Sequence, residues 1–163
     1  MKIFIIAGED SGDKLGSAII DGLIKTTDVP PKFVGIGGNG MISRGLQPLF
    51  PMSELSVMGF VEIAFEYKNL KKRLSQTISS ILDEKPDILL TIDTPEFCFR
   101  VAKKIKSMNK NIPIVHYVAP SVWAWRPNRA KKISNFVDHV LALFPFEPEY
   151  FHKVGVGCDF VGH

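Results

Sequence analysis

The sequence predicts an α/β domain built on a parallel sheet with helices on both faces. Three observations carry this: short runs of Ile, Val, Leu and Phe recur along the chain, amphipathic segments of helical period separate them, and no internal repeat or low-complexity linker interrupts the alternation. Length and composition agree. A chain of 163 residues, 45% hydrophobic and 23% charged, belongs with globular proteins of one domain. At 18.2 kDa it is expected to bury roughly 69% of the surface its unfolded form exposes. Two cysteines, Cys98 and Cys158, are too few for a disulfide framework and read as buried thiols.

The first strand, 2–7, is an apolar run too short for a signal peptide and followed at once by Glu9 and Asp10. Further strands are expected at 32–36, 87–92, 112–118, 138–143 and 158–161, with a short one near 47–50. Helical patterns fall at 13–25, 39–45, 60–84, 95–109, 127–136 and 146–154. The clearest places Ile63, Tyr67, Leu70, Leu74, Ile78 and Ile81 on one stripe, which Pro86 ends. The order describes a Rossmann-like domain. Its last residues break off just after a strand, so a C-terminal partner domain is expected. The longest apolar stretch, 112–125, contains His116 and two prolines and does not span a bilayer. Net charge is +3, unevenly spread: residues 97–137 hold nine Lys or Arg and no acid, and Lys68, Lys71, Lys72 and Arg73 form a second cluster. Such concentrations suit a phosphate or an anionic membrane, against the plainer reading of solvated helix faces.

In an open parallel sheet, ligands sit beyond the carboxyl ends of the strands. Five segments there stand out. After the first strand, Gly8-Glu9-Asp10-Ser11-Gly12-Asp13 offers a tight turn into a helix. Its three carboxylates repel a pyrophosphate and favour a sugar hydroxyl or an amine; Ser11 or Asp13 are candidate helix caps, whereas Glu9 has no such role. Gly35-Ile36-Gly37-Gly38-Asn39-Gly40 matches the dinucleotide fingerprint, with Glu62 downstream, but follows the second strand rather than the first. A close backbone approach explains it better than an NAD site.

Asp93 ends the third long strand, and Thr94 and Pro95 already fit the N-cap and first helical positions. It is therefore a candidate general base, its basicity raised by apolar neighbours such as Ile92 and Phe97. The segment His116-Tyr117-Val118-Ala119-Pro120-Ser121-Val122-Trp123-Ala124-Trp125-Arg126 combines aromatic and cationic groups; for His116 a core imidazole is an equal reading. Finally, Val57, Met58, Phe60, Val61 and Phe65 crowd more apolar side chains into one segment than a helix face buries. Lys68, Lys71, Lys72 and Arg73 follow, which suits an interfacial membrane contact.

The stretches Ala7-Gly8-Glu9 with Ser11-Gly12-Asp13, Leu49-Phe50-Pro51-Met52 with Leu55-Ser56-Val57-Met58-Gly59, Ile92-Asp93-Thr94-Pro95-Glu96-Phe97, His116-Tyr117-Val118 with Pro120 to Arg126, Leu143-Phe144-Pro145-Phe146-Glu147 and Phe160-Val161-Gly162-His163 run in order along the whole chain and resemble the lipid-A-disaccharide synthase family. The most specific is Pro120-Ser121-Val122-Trp123-Ala124-Trp125-Arg126. Glu96 departs from the Asp common there. The resemblance implies an inverting glycosyltransferase of the two-Rossmann-domain, GT-B type. Such an enzyme joins UDP-2,3-diacylglucosamine to 2,3-diacylglucosamine 1-phosphate (lipid X), with no cofactor, no metal and no nucleic-acid partner, at the inner-membrane surface of a Gram-negative bacterium. It makes Asp93 the catalytic base, and Glu9, Ser11, Gly12, His116, Ser121, Trp123 and Arg126 substrate contacts. Residues 1–163 would be the acceptor-side domain, and the C-terminal UDP-binding domain would be missing, leaving the isolated chain inactive. The alternatives are another transferase or epimerase acting on UDP-N-acetylglucosamine, or a lipid-binding module without turnover.

Overall fold

A computed structural model describes residues 1–56, 63–120 and 128–162, with the side chains of 56, 63–67, 128 and 129 left out. The elements follow in the order β1 (Lys2–Ala7), α1 (Asp10–Thr26), β2 (Lys32–Ile36), α2 (Asn39–Ile42), β3 (Gln47–Pro48), α3 (Ser53–Ser56) and α4 (Ile63–Glu84). Then come β4 (Ile88–Ile92), α5 (Pro95–Met108), β5 (Ile114–Tyr117), α6 (Asn128–Ile133), β6 (His139–Ala142), α7 (Pro148–His152) and β7 (Gly157–Phe160). The seven strands form one sheet in the order β3-β2-β1-β4-β5-β6-β7, with every pairing parallel. This is the Rossmann-like sheet expected from the sequence.

Period-two alternation sorts the strand side chains into two layers. Phe4, Ile6, Val34, Ile36, Leu89, Ile114 and Val140 pack with Leu74, Ile78 and Ile81 of α4, Phe97, Val101 and Ile105 of α5, Ile133 of α6 and Phe151 of α7. Ile3, Ile5, Phe33, Leu90, Ile92 and Tyr117 face the other way, toward Leu15, Ile19 and Ile20 of α1 and Met41 of α2. The expected stripe on α4 is borne out from Leu70 to Ile81; the side chains of Ile63 and Tyr67 lie outside the description.

Strand starts are fixed by aspartates. The Lys2 amide donates to Asp87 Oδ2 at 2.6 Å and the Ile114 amide to Asp138 Oδ2 at 2.7 Å, so β4 and β6 begin one residue after the acids read into them. Two elements differ more. Helix α1 starts at Asp10 rather than 13, so Gly12, read as part of the loop, lies buried within it, as does Gly16. A Cβ on Gly12 would meet Ala7 Cβ at 3.1 Å, and one on Gly16 would meet Ile92 Cδ1 at 3.1 Å. Glycine here permits a close helix-to-sheet approach rather than a turn. Helix α3 was not anticipated; four residues carry too little periodicity to read.

Candidate active site at the β1–β4 switch point

Strand β1 pairs with β2 on one side and β4 on the other, so the chain winds outward in opposite directions from this pair. The crevice above their carboxyl ends is where such sheets take ligands. Two loops meet there. A Cβ on Gly8, after β1, would sit 2.6 Å from Thr94 Oγ1 and 2.8 Å from Thr94 Cγ2, after β4.

Asp93 occupies this junction with φ 51°, and Thr94 follows with φ 42°. Left-handed backbone is tolerated by Asp but unfavourable for a β-branched residue, and strain of this kind, about 1–3 kcal/mol per residue, gathers at functional sites. The corner is held from three directions: the Asp93 amide donates to Tyr117 O at 3.0 Å, the Thr94 amide donates to Asp93 Oδ1 at 2.9 Å, and the Cys98 amide donates to Thr94 O at 3.1 Å. The Asp93 carboxylate is half-buried, and its Oδ2 accepts no hydrogen bond from any described residue. Val118, at the end of the neighbouring β5, has φ 74°. Three of the four left-handed non-glycine residues among those described thus lie at the carboxyl ends of two adjacent strands.

Glu9 stands at the N-cap of α1 with extended backbone and makes no capping bond through its side chain. Glu9, Asp10 and Ser11 are exposed beside the crevice, and the Ser11 hydroxyl makes no hydrogen bond with a described residue. Gly12 is buried, where it takes the packing role described above.

Asp13 does not join the other acids. It turns toward the loop after β2, where Oδ1 accepts from the Gly38 amide at 2.9 Å and the Met41 amide at 3.0 Å, and Oδ2 accepts from the Gly40 amide at 2.9 Å. The expected cap is real, but it serves α2 instead of its own helix. It also answers the dinucleotide fingerprint: the amides that would hold a pyrophosphate already hold a carboxylate. The glycines are needed for close approach, as expected. A Cβ on Gly40 would lie 2.6 Å from Ser17 Oγ, and Gly35, at φ 136°, runs against the β1 backbone. Next to this clamp a cleft of about 580 Å³ opens, lined by Asp10, Asn39, Phe50, Met52 and Ser53 among others.

His116 lies in the core, the second of the two readings open for it. It is 1% exposed, its Nδ1 lies 2.8 Å from Thr91 Oγ1, and its ring stacks at a tilt on Phe99, 4.7 Å between centroids. Burial pushes its pKa from 6.5 to about 3, so the folded protein holds it neutral. The unfolded chain binds that proton below pH 6.5 and the native state does not until about pH 3, so stability falls as pH drops through that window. Between pH 7 and pH 5 this group alone should remove about 2 kcal/mol. The His116→Asn variant, which keeps a polar partner for Thr91, should lose less over the same interval, as read from urea midpoints at the two pH values.

Arg73 is engaged within the fold. Its guanidinium donates to both oxygens of Glu54 at 2.6 Å and lies 4.7 Å above the Phe50 ring. It ties α4 to α3 and is not a free cation for a membrane, whereas Lys68, Lys71 and Lys72 are exposed and form no ion pair with a described residue. Ser121, Trp123, Arg126, Val57, Met58, Phe60 and Val61 lie outside the described residues, as does the side chain of Phe65. No helix among the described residues is long and apolar enough to cross a membrane.

The fold and sequence have counterparts. The chain superposes on the UDP-GlcNAc 2-epimerase from Neisseria meningitidis, solved bound to UDP-GlcNAc, with a TM-score of 0.62 and 15% identity, over 96% of this chain and 43% of that one. It superposes equally well, TM-score 0.62, on the epimerase from Methanocaldococcus jannaschii, over 100% of this chain and 46% of that one at 15% identity. At such identity the likeness is one of fold. In sequence, it is 52% identical to the lipid-A-disaccharide synthase of Ruegeria pomeroyi and 48% to that of Rhodospirillum centenum, in each case over 100% of this chain. The chain spans only 40% and 41% of those two relatives' lengths. The family described as lipid-A-disaccharide synthetase matches residues 3–163, and with that match running almost from end to end, the chain belongs to this family.

Proposed function

We propose that this chain is the acceptor-side half of an inverting glycosyltransferase that joins UDP-2,3-diacylglucosamine to 2,3-diacylglucosamine 1-phosphate and releases UDP. The observation that carries the reading is the Asp93 carboxylate. It is half-buried on a strained corner at the switch point, one oxygen held by the Thr94 amide and the other left without a described partner. In the reaction, that free oxygen takes the proton of the acceptor 6-hydroxyl as the hydroxyl oxygen attacks the anomeric carbon from the face opposite the nucleotide. The new C1–O bond forms as the bond from C1 to the diphosphate oxygen breaks. The electron pair leaves with UDP, and the product is the β-1,6-linked disaccharide 1-phosphate.

Glu9, at the N-cap of α1, and Ser11, in its first turn, are exposed beside the crevice, suited to hydrogen-bond sugar hydroxyls and so to orient the nucleophile. Asp10 adds negative charge on the same side, which disfavours a second phosphate there and leaves the diphosphate to another part of the protein. Residues 57–73 serve the acyl chains and the inner-membrane surface in this reading, with Lys68, Lys71 and Lys72 as the cations. The two epimerase neighbours support the fold alone, whereas the synthases share about half of the residues along the whole chain.

The test is formation of disaccharide from radiolabelled acceptor and UDP-diacylglucosamine, by this chain alone and with the remaining portion of a family member added. Product is expected only from the mixture. Silence in both, with the chain folded and the added portion shown to bind UDP, would overturn the transferase reading in favour of a lipid-binding module.

A further inference from the structure

We propose that Gly8 is a positioning residue for Asp93, a role that rests on the reading of Asp93 as the base. The bare Cα of Gly8 is the seat of the Thr94 side chain, and through Thr94 it sets the direction of the carboxylate. Gly8 directly follows β1, is buried and is not among the glycines with positive φ, so its backbone conformation does not require glycine. Space does. A Cβ there would lie 2.6 Å from Thr94 Oγ1, 2.8 Å from Thr94 Cγ2 and 3.1 Å from Thr94 Cβ, so the three atoms nearest to it all belong to one side chain.

Thr94 leans on Gly8 instead of taking the role its position offers. A threonine at a helix N-cap ordinarily has extended backbone and turns its hydroxyl onto an amide of the first turn. Thr94, at the N-cap of α5, has φ 42° and ψ 56° and makes no capping bond through its side chain. Its Oγ1 is the one buried side-chain nitrogen or oxygen among the described residues that lacks a hydrogen-bond partner. Left-handed backbone and an unpartnered hydroxyl are both unfavourable, so the surroundings must hold Thr94 in place. Its backbone shows what is gained. The amide donates to Asp93 Oδ1 at 2.9 Å, and the carbonyl accepts from the Cys98 amide at 3.1 Å. Tilting this residue turns the amide, and the carboxylate with it, while the Asp93 amide stays anchored on Tyr117 O. A side chain at position 8 would therefore act on the Asp93 carboxylate by way of Thr94.

The experiment measures disaccharide formation by the full-length protein with each lipid varied, and a melting curve for every variant. Misplacing a reacting group by about 1 Å costs on the order of 10²-fold, so Gly8→Ala should lose about 10²-fold, mostly in kcat. Thr94→Ala, which removes Oγ1 and Cγ2, should lose a few-fold. The double variant should do no worse than Thr94→Ala alone, because the added methyl then meets only Cβ at 3.1 Å. On an Asp93→Asn background, Gly8→Ala should cost little further, since the carboxylate it acts through is gone. Losses that multiply in either pairing overturn the proposal, as does a near-normal rate from Gly8→Ala. A loss confined to KM overturns it too, because that would place Gly8 against the substrate instead.

Should Gly8→Ala not fold, Thr94→Gly decides. Glycine adopts φ 42° freely, so the fold should keep its stability while the loosened corner loses about 10-fold in kcat; an unchanged rate sinks the idea. The base and its seat fail differently. If Asp93→Asn keeps its rate, both assignments fall; if Asp93→Asn collapses and Gly8→Ala does not, only the role of Gly8 is wrong.

Discussion

Asp93→Asn in the full-length protein is expected to lower the rate of disaccharide formation by about 10²–10⁴-fold in kcat, the range that a positioned general base contributes, with little change in KM for either lipid. The substitution isolates the proton acceptor. Asparagine retains an oxygen for the Thr94 amide, now 2.9 Å from Asp93 Oδ1, and it tolerates φ 51° as aspartate does. Its thermal midpoint should therefore stay within a degree or two of wild type while turnover collapses. A near-normal rate from a folded variant would falsify the assignment of Asp93 as base. Steady-state rates with each substrate varied, alongside a melting curve, settle the split between chemistry and folding.

The elements were legible because each depends on local pattern. The apolar run 2–7, the stripe from Leu70 to Ile81 and the Thr94-Pro95 start of α5 all use information within a few residues, and the sheet follows from their order. The position of Asp93 was legible for the same reason, since a carboxylate just past a buried strand is visible without knowing its neighbours. What escaped reading is long-range. Asp13 looked like one of three acids in a loop, because nothing in the sequence shows that its carboxylate reaches residues 25 to 28 positions away. Arg73 looked like a free cation until α3, itself unread, brought Glu54 to it. Glycine was ambiguous: Gly12 suggested a loop, yet the requirement there, as at Gly16, was contact between a helix and a sheet. For His116 both readings were open, and burial against Thr91 and Phe99 decided for the core.

Asp13 carries the second large effect, on stability rather than chemistry. Asp13→Ala removes the acceptor for three backbone amides at once, those of Gly38, Gly40 and Met41. An unsatisfied buried donor costs about 1–3 kcal/mol; because Asp13 is only half-buried, water recovers part of this, and the expected loss is about 3–5 kcal/mol. Against the roughly 5–15 kcal/mol that holds an ordinary domain together, such a loss brings this one close to unfolding. Asp13→Asn, with one acceptor oxygen in place of two, should fall between, near ~2 kcal/mol. Glu9→Gln, on an exposed side chain without a capping bond, should stay within about 0.5 kcal/mol of wild type. Urea unfolding of the three variants orders them. The comparison separates two roles for acids four residues apart: if Asp13→Ala unfolds at the wild-type midpoint, the clamp is not what holds the loop after β2, and Asp13 returns to the group of carboxylates facing the substrate. If the predicted order is found, the amides of that loop are committed to the fold, and the negative charge left at the crevice is that of Glu9, Asp10 and Asp93.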